Sequence, residues 1–163
     1  MKPLHKPSRI MALDIGEKRI GIAVTDRLNR ISYPLKTIEN ISEVTERISE
    51  IIEEYEIGTL VIGNPRSLSG RQGYQSGMVM EFVEKNLKDL NVTVVFFDER
   101  YTTVISSDII SEKSVKNGSS FSKGKRIKKD RKKSKIPEKG EKDRIAAALI
   151  LQGYLQKIEN EKI

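Results

Sequence analysis

An α/β domain with a central mixed sheet is predicted by three observations. The chain of 163 residues fits one hydrophobic core. Its first third holds apolar runs of strand length joined by short polar turns. Beyond residue 40, stretches of helical spacing alternate with further apolar runs, the order expected of a layered sheet-and-helix fold.

Arg9 to Ile15 (RIMALDI) is the first run, and after a Gly-Glu-Lys-Arg turn Ile20 to Asp26 (IGIAVTD) forms the second. Asn29-Arg30 turns the chain again and Ile31 to Leu35 supplies a third strand, completing an antiparallel meander. Val44, Ile48, Ile51, Ile52 and Tyr55 then follow the 3.6-residue period of an amphipathic helix, with Asn40 or Ser42 available to cap it. Thr59 to Gly63 (TLVIG) reads as a buried strand stopped by Asn64-Pro65, because proline cannot donate to a ladder. Met78, Phe82, Val83 and Leu87 restore helical spacing, and Asn91 to Phe97 (NVTVVFF) is the last strand, running into Asp98-Glu99-Arg100. A helix is predicted over Thr103 to Ser111, and another over Asp143 to Leu155, apolar on nearly every side as a helix buried against a sheet is. Crossovers through the two middle helices make the later strands parallel to the first. The domain is expected over 10–158, between an N-terminal extension (1–9) and a short tail (159–163), with a mobile segment over 114–142 that has almost no apolar residues to bury.

Composition excludes several chemistries. The chain has no cysteine, which removes thiolate zinc sites, cysteine nucleophiles and redox motifs. No apolar stretch approaches the roughly 20 residues of a membrane span, and the opening residues lack a signal-peptide core, so a cytoplasmic protein with no membrane partner is expected. The net charge of +7 is unevenly placed. From Lys113 to Arg144 there are 14 Lys or Arg against 4 Asp or Glu, whereas the remainder carries 16 basic and 19 acidic residues. A slightly acidic domain with one basic segment favours a polyanion partner, because each phosphate neutralised releases condensed counterions. The plainer reading of the same segment is a solvated loop.

Three acids far apart in the chain, Asp14, Glu99 and Asp143, end apolar stretches or open a helix. A carboxylate beside a buried run costs desolvation unless it is paired or holds a cation. Each also has a local explanation: Asp14 as a cap of the Gly16 turn, Asp98-Glu99-Arg100 as an ion pair at a strand end, Asp143 as a helix N-terminal acid favoured by the macrodipole. Alternation puts Ile10, Ala12 and Asp14 on one face of the first strand, and Val95, Phe97 and Glu99 on one face of the last, with Asp98 opposite. Only one of Asp98 and Glu99 can face Asp14, and periodicity does not choose between them.

Four blocks carry a further pattern: Asp14-Ile15-Gly16 with Arg19 to Asp26 (RIGIAVTD); Val61 to Pro65 (VIGNP) with Gly70; Asp98 to Thr103 (DERYTT); and Asp143 with Ile145 to Gln152 (IAAALILQ). In this order the chain resembles the YqgF family of proposed pre-ribosomal RNA nucleases, related to the RuvC-type Holliday-junction resolvases. The resemblance runs from Ile10 to Leu155. It implies a ribonuclease H-like fold, with a five-stranded mixed sheet and helices on both faces. It implies Asp14, Glu99 and Asp143 as the catalytic and metal-holding trio, choosing Glu99 over Asp98, and trimming of the small-subunit ribosomal RNA precursor as the activity. Arg66 to Ser69 depart from the family's usual loop, and Lys142 and Arg144 flank Asp143 where the family usually has small or apolar residues.

The chemistry expected of such a site is phosphodiester hydrolysis with two Mg²⁺ or Mn²⁺ ions, Asp14 bridging them while Glu99 and Asp143 each complete one. Arg19 and Arg100 are candidates for phosphate contact, or for structural pairing with nearby acids. Lys125, Arg126, Lys128, Lys129 and Arg131, with Lys132 and Lys133, would form a backbone clamp that positions substrate without reading sequence. Partners are then nucleic acid, RNA before DNA, and a ribosomal precursor particle, for a monomer or weak dimer. Alternatives are a junction resolvase, a nucleic-acid-binding module without turnover, and the opening of a sugar-kinase or actin-like ATPase. The last would need a second similar domain, and 163 residues hold no second copy.

Overall fold

The computed structural model describes residues 8–64, 73–98 and 140–162. Its sheet has five strands: β1 (Arg9–Ile15), β2 (Arg19–Thr25), β3 (Ser32–Glu39), β4 (Ile57–Asn64) and β5 (Thr93–Asp98), in the order β3-β2-β1-β4-β5. β1, β2 and β3 form the antiparallel meander, while β4 and β5 run parallel to β1. The helices are α1 (Val44–Tyr55), α2 (Tyr74–Asn86) and α3 (Glu141–Asn160).

Two cores lie on opposite faces of the sheet because β1 is buried on both. Met11, Leu13 and Ile15, with Ile20, Ile22, Leu60 and Ile62, meet Val44, Ile48 and Ile51 of α1 and Val79 and Phe82 of α2. Ile10, Ala12, Ala23, Val61 and Phe97 meet Ala147, Ile150, Leu151 and Leu155 of α3. The α3 side of the meander is built from small residues, Ala12, Gly21 and Ala23, which lets the helix approach the sheet closely.

Local boundaries differ from the sequence reading for identifiable reasons. α1 begins after Glu43 with no side-chain cap, and Asn40 instead donates its Nδ2 to the Gly16 carbonyl (2.9 Å), tying the end of β3 to the β1–β2 turn. β3 runs on to Glu39 because its residues continue to pair with β2 as far as Arg19, and Pro34 is accommodated on this edge strand. α3 opens at Glu141 and continues to Asn160, so Glu141 and Lys142 belong to a helix and not to the predicted mobile segment. The predicted helix over Thr103 to Ser111 and residues 114–139 of that segment lie outside the described residues.

Candidate active site

Asp14 is the penultimate residue of β1, at the carboxyl end of the strand, where open α/β sheets present their ligand sites. It shares its sheet face with Ile10 and Ala12, as period-two alternation requires, and so looks toward α3. Its antiparallel partner is Gly21, and the partner of Gly21 is Thr37. One row across three strands therefore presents a carboxylate, a gap and a hydroxyl to the start of α3.

Two members of that row, Gly21 and Thr37, fix the helix. A Cβ on Gly21 would collide with the backbone carbonyl of Asp143, so the first turn of α3 rests directly on bare β2 backbone. Thr37 donates its hydroxyl to the carbonyl of Gly140 (2.6 Å), the residue that turns into the helix with φ +93°, where an L side chain is strained. Farther along, the Ser32 hydroxyl donates to the Ala148 carbonyl (2.9 Å). Ser32 and Thr37 are five residues apart, an odd spacing that regular alternation would send to opposite faces. A register shift between the Ile22–Lys36 and Ala23–Pro34 pairs adds the one residue that brings both onto α3.

This docking delivers Asp143, in the first turn of α3, to the neighbourhood of Asp14. Asp14 is partly buried, and among the described residues no hydrogen bond or ion pair reaches its carboxylate. Burial, and then the negative charge of Asp143, raise its pKa from 3.8 to about 6. Asp143 has a partner: Arg19, the first residue of β2, donates from Nε to Asp143 Oδ2 at 2.7 Å. Lys142 and Arg144, adjacent in sequence, form no ion pair with Asp143 among the described residues.

The local explanations fare unequally. Asp14 does not cap the Gly16 turn, since the Gly16 N–H donates to the Arg19 carbonyl (2.9 Å). Asp143 does lie in the first helical turn, where the macrodipole favours it, and is ion-paired as well. Asp26, by contrast, is committed to the β2–β3 turn: N–H groups of Ile31 (2.9 Å) and Arg30 (2.7 Å) bond its carboxylate and hold its pKa below the usual range. Glu99, Arg100, Lys125, Arg126, Lys128, Lys129 and Arg131 lie outside the described residues. Among those described, no cluster of three or more metal-ligating side chains occurs, and Asp14 and Asp143 are the two acids brought together here.

Gly21, Thr37 and Gly140 carry much of this geometry, and sequence reasoning assigned none of them a role. Gly21 interrupts a buried strand, and a glycine there is the standard signature of close backbone approach. Thr37 on an edge strand gives no comparable signal.

Comparison with known proteins fits this arrangement. A family model described as RuvX, Holliday junction resolvase, matches residues 8–157. The chain belongs to the RuvX family, the family also written YqgF. RuvX relatives named "Putative pre-16S rRNA nuclease" include one from Thermoanaerobacter pseudethanolicus, 37% identical over 155 residues covering 94% of this chain and 99% of the relative. Another, from a Sulfurihydrogenibium species, is 37% identical over 153 residues, covering 93% and 92%. Among solved structures, Thermus thermophilus RuvC in complex with a Holliday junction substrate aligns over 93% of this chain and 96% of that chain, with a TM-score of 0.51 and 11% identity. A second Thermus thermophilus RuvC structure gives the same TM-score at 9% identity. The RuvX fold of this chain is thus the RuvC-like, ribonuclease H-like one. None of its described helices is long and apolar enough to cross a membrane.

Proposed function

We propose that the chain is a divalent-metal-dependent nuclease that hydrolyses phosphodiester bonds of structured nucleic acid, with the end of the pre-16S ribosomal RNA as its substrate. One observation carries this reading: Asp14 and Asp143, 129 positions apart in sequence, meet at the carboxyl end of β1 closely enough for one charge to raise the pKa of the other. Asp14, held beside a second carboxylate at the cost of its own ionisation, forms with Asp143 a donor set that suits a hard cation. No thiolate competes, since the chain has no cysteine, and its single histidine, His5, precedes the family match that begins at residue 8.

Asp14 and Asp143 would hold Mg²⁺ or Mn²⁺, with Glu99 as the third ligand. Phe97 on the α3 face supports Glu99 over Asp98, because residues two apart on a strand share a face. Divalent ions so placed supply an activated water and stabilise the charge of the phosphoryl transition state. Arg19, held beside the site by its Nε–H bond to Asp143 in the cation-free protein, would offer its Nη groups to phosphate. Arg100 and the basic residues Lys125, Arg126, Lys128, Lys129 and Arg131 would hold the backbone of the substrate, which fits RNA in a ribosomal precursor particle. The names of the 37%-identical relatives support the ribosomal RNA substrate. The family description supports a second reading, resolution of four-way DNA junctions.

The test incubates wild type, Asp14→Asn and Asp143→Asn with a pre-16S RNA fragment, single-stranded RNA and a four-way DNA junction, in Mg²⁺, Mn²⁺ or chelator. Metal-dependent cleavage of the structured RNA that disappears in both variants is expected. Cleavage of the junction alone selects the resolvase reading. Undiminished products from Asp14→Asn defeat the catalytic site, and salt-sensitive binding without products selects a binding module.

A further inference from the structure

We infer that Arg19 is a resident counter-cation for Asp143, which a divalent ion must displace before the site can fill. This deepens the proposed function and rests on its reading of Asp14 and Asp143 as cation ligands. The geometry is that of a latch. Arg19 lies on the same face of β2 as Gly21, so its side chain leaves the sheet beside the first turn of α3. Its cross-strand neighbour on β3 is Glu39, yet its ion pair crosses to Asp143, 124 positions away in sequence.

The contact is single-pronged, Nε to Oδ2, and not the two-pronged fork that makes an arginine–carboxylate pair hard to part. The two side chains keep 38% and 28% of their surface exposed, so water can solvate both charges once they separate. A pair of this kind satisfies the Asp143 charge in the cation-free protein at small cost to its later release. It also occupies Oδ2, an atom that a hard cation would use.

The latch and a purely structural role predict opposite signs. If Arg19 merely held α3 in place, its loss would loosen the site and weaken metal binding. If it competes with the ion, its loss exposes two uncompensated carboxylates and strengthens metal binding.

Mn²⁺ titrations without nucleic acid, followed by melting temperature and by calorimetry, separate the two. Arg19→Gln is expected to melt lower than wild type without metal, and to show a half-saturating Mn²⁺ concentration about threefold to fivefold lower, the competition of a half-exposed ion pair. Arg19→Lys keeps the charge but loses the Nε–H, and is expected to move the same way by less. Should Arg19→Gln fail to fold, Arg19→Lys decides. A half-saturating concentration equal to or above that of wild type overturns the latch. Asp14→Asn tests the underlying reading separately: if it keeps the full Mn²⁺ response, the carboxylates are not the ligands and both claims fall. If Asp14→Asn abolishes that response while the Arg19 variants leave the midpoint unmoved, the latch alone falls. No Mn²⁺ response in any of these proteins overturns both.

Discussion

A carboxylate whose pKa is raised to about 6 makes the fold less stable when it ionises, and Asp14 is such a group. Between its unfolded value of 3.8 and its folded value, the native state holds the proton more tightly than the unfolded chain does. Stability linked to Asp14 therefore falls as pH rises from about 4 through about 6 and stays lower above that. A shift of this size corresponds to about 3 kcal/mol. Asp14→Asn removes the charge while keeping the shape, so urea unfolding is expected to find the variant more stable by about 2–3 kcal/mol at pH 7.5, with no difference at pH 3.5. A variant no more stable at pH 7.5 would show that Asp14 is compensated in solution. Asp26 works in the opposite direction: its lowered pKa means that its hydrogen bonds support the β2–β3 turn at neutral pH and fail as acid protonates it.

Helix docking sets the distance between the two carboxylates, and Gly21 sets the docking. The atom that a Cβ would strike is the backbone carbonyl of Asp143, which cannot rotate aside as a flexible side chain would. Gly21→Ala must lift the first turn of α3 off β2, stretching the Thr37–Gly140 bond that anchors the same turn. A loss of about 2–4 kcal/mol is expected in urea unfolding. Carboxyl titration by NMR is expected to show the Asp14 pKa falling toward 3.8 as Asp143 recedes and water enters. An Asp14 pKa unchanged in Gly21→Ala would mean that the helix start does not control the site. The strand meander, the two middle helices and the parallel crossover were all readable at this scale, because each rests on a local period of two or 3.6 residues. The bulge in β3 was not, since nothing in Ser32–Glu39 alone says which strand pairs with it or where the register slips.

Charge is distributed unevenly along the chain. The sheet domain carries the acids, while the basic residues concentrate between Lys113 and Arg144. If those cations hold substrate backbone, replacing Lys125, Arg126, Lys128, Lys129 and Arg131 with alanine removes up to five counterion-releasing contacts. The slope of log affinity for RNA against log salt is then expected to become shallower by about four, with equal weakening across unrelated RNA sequences. A slope that does not change would leave the segment a solvated loop. Asp14→Asn is expected to keep the wild-type slope, because backbone contacts and the carboxylate site act on different parts of the reaction.

The sequence by itself determined the order along the chain of the five strands and the described helices, the face of β1 that carries Asp14, the charge asymmetry and the family. All of these are local patterns or matched blocks, so they survive without knowledge of distance. Only the tertiary structure decided that the α3 start seats on Gly21, that Thr37 and Ser32 both reach this helix, that Arg19 pairs with Asp143 and not with Glu39, and that Asp143 pairs with Arg19 and not with Lys142 or Arg144 beside it. Those outcomes depend on close contact between elements more than a hundred residues apart in the chain, and one absent Cβ and one extra strand residue permit that contact.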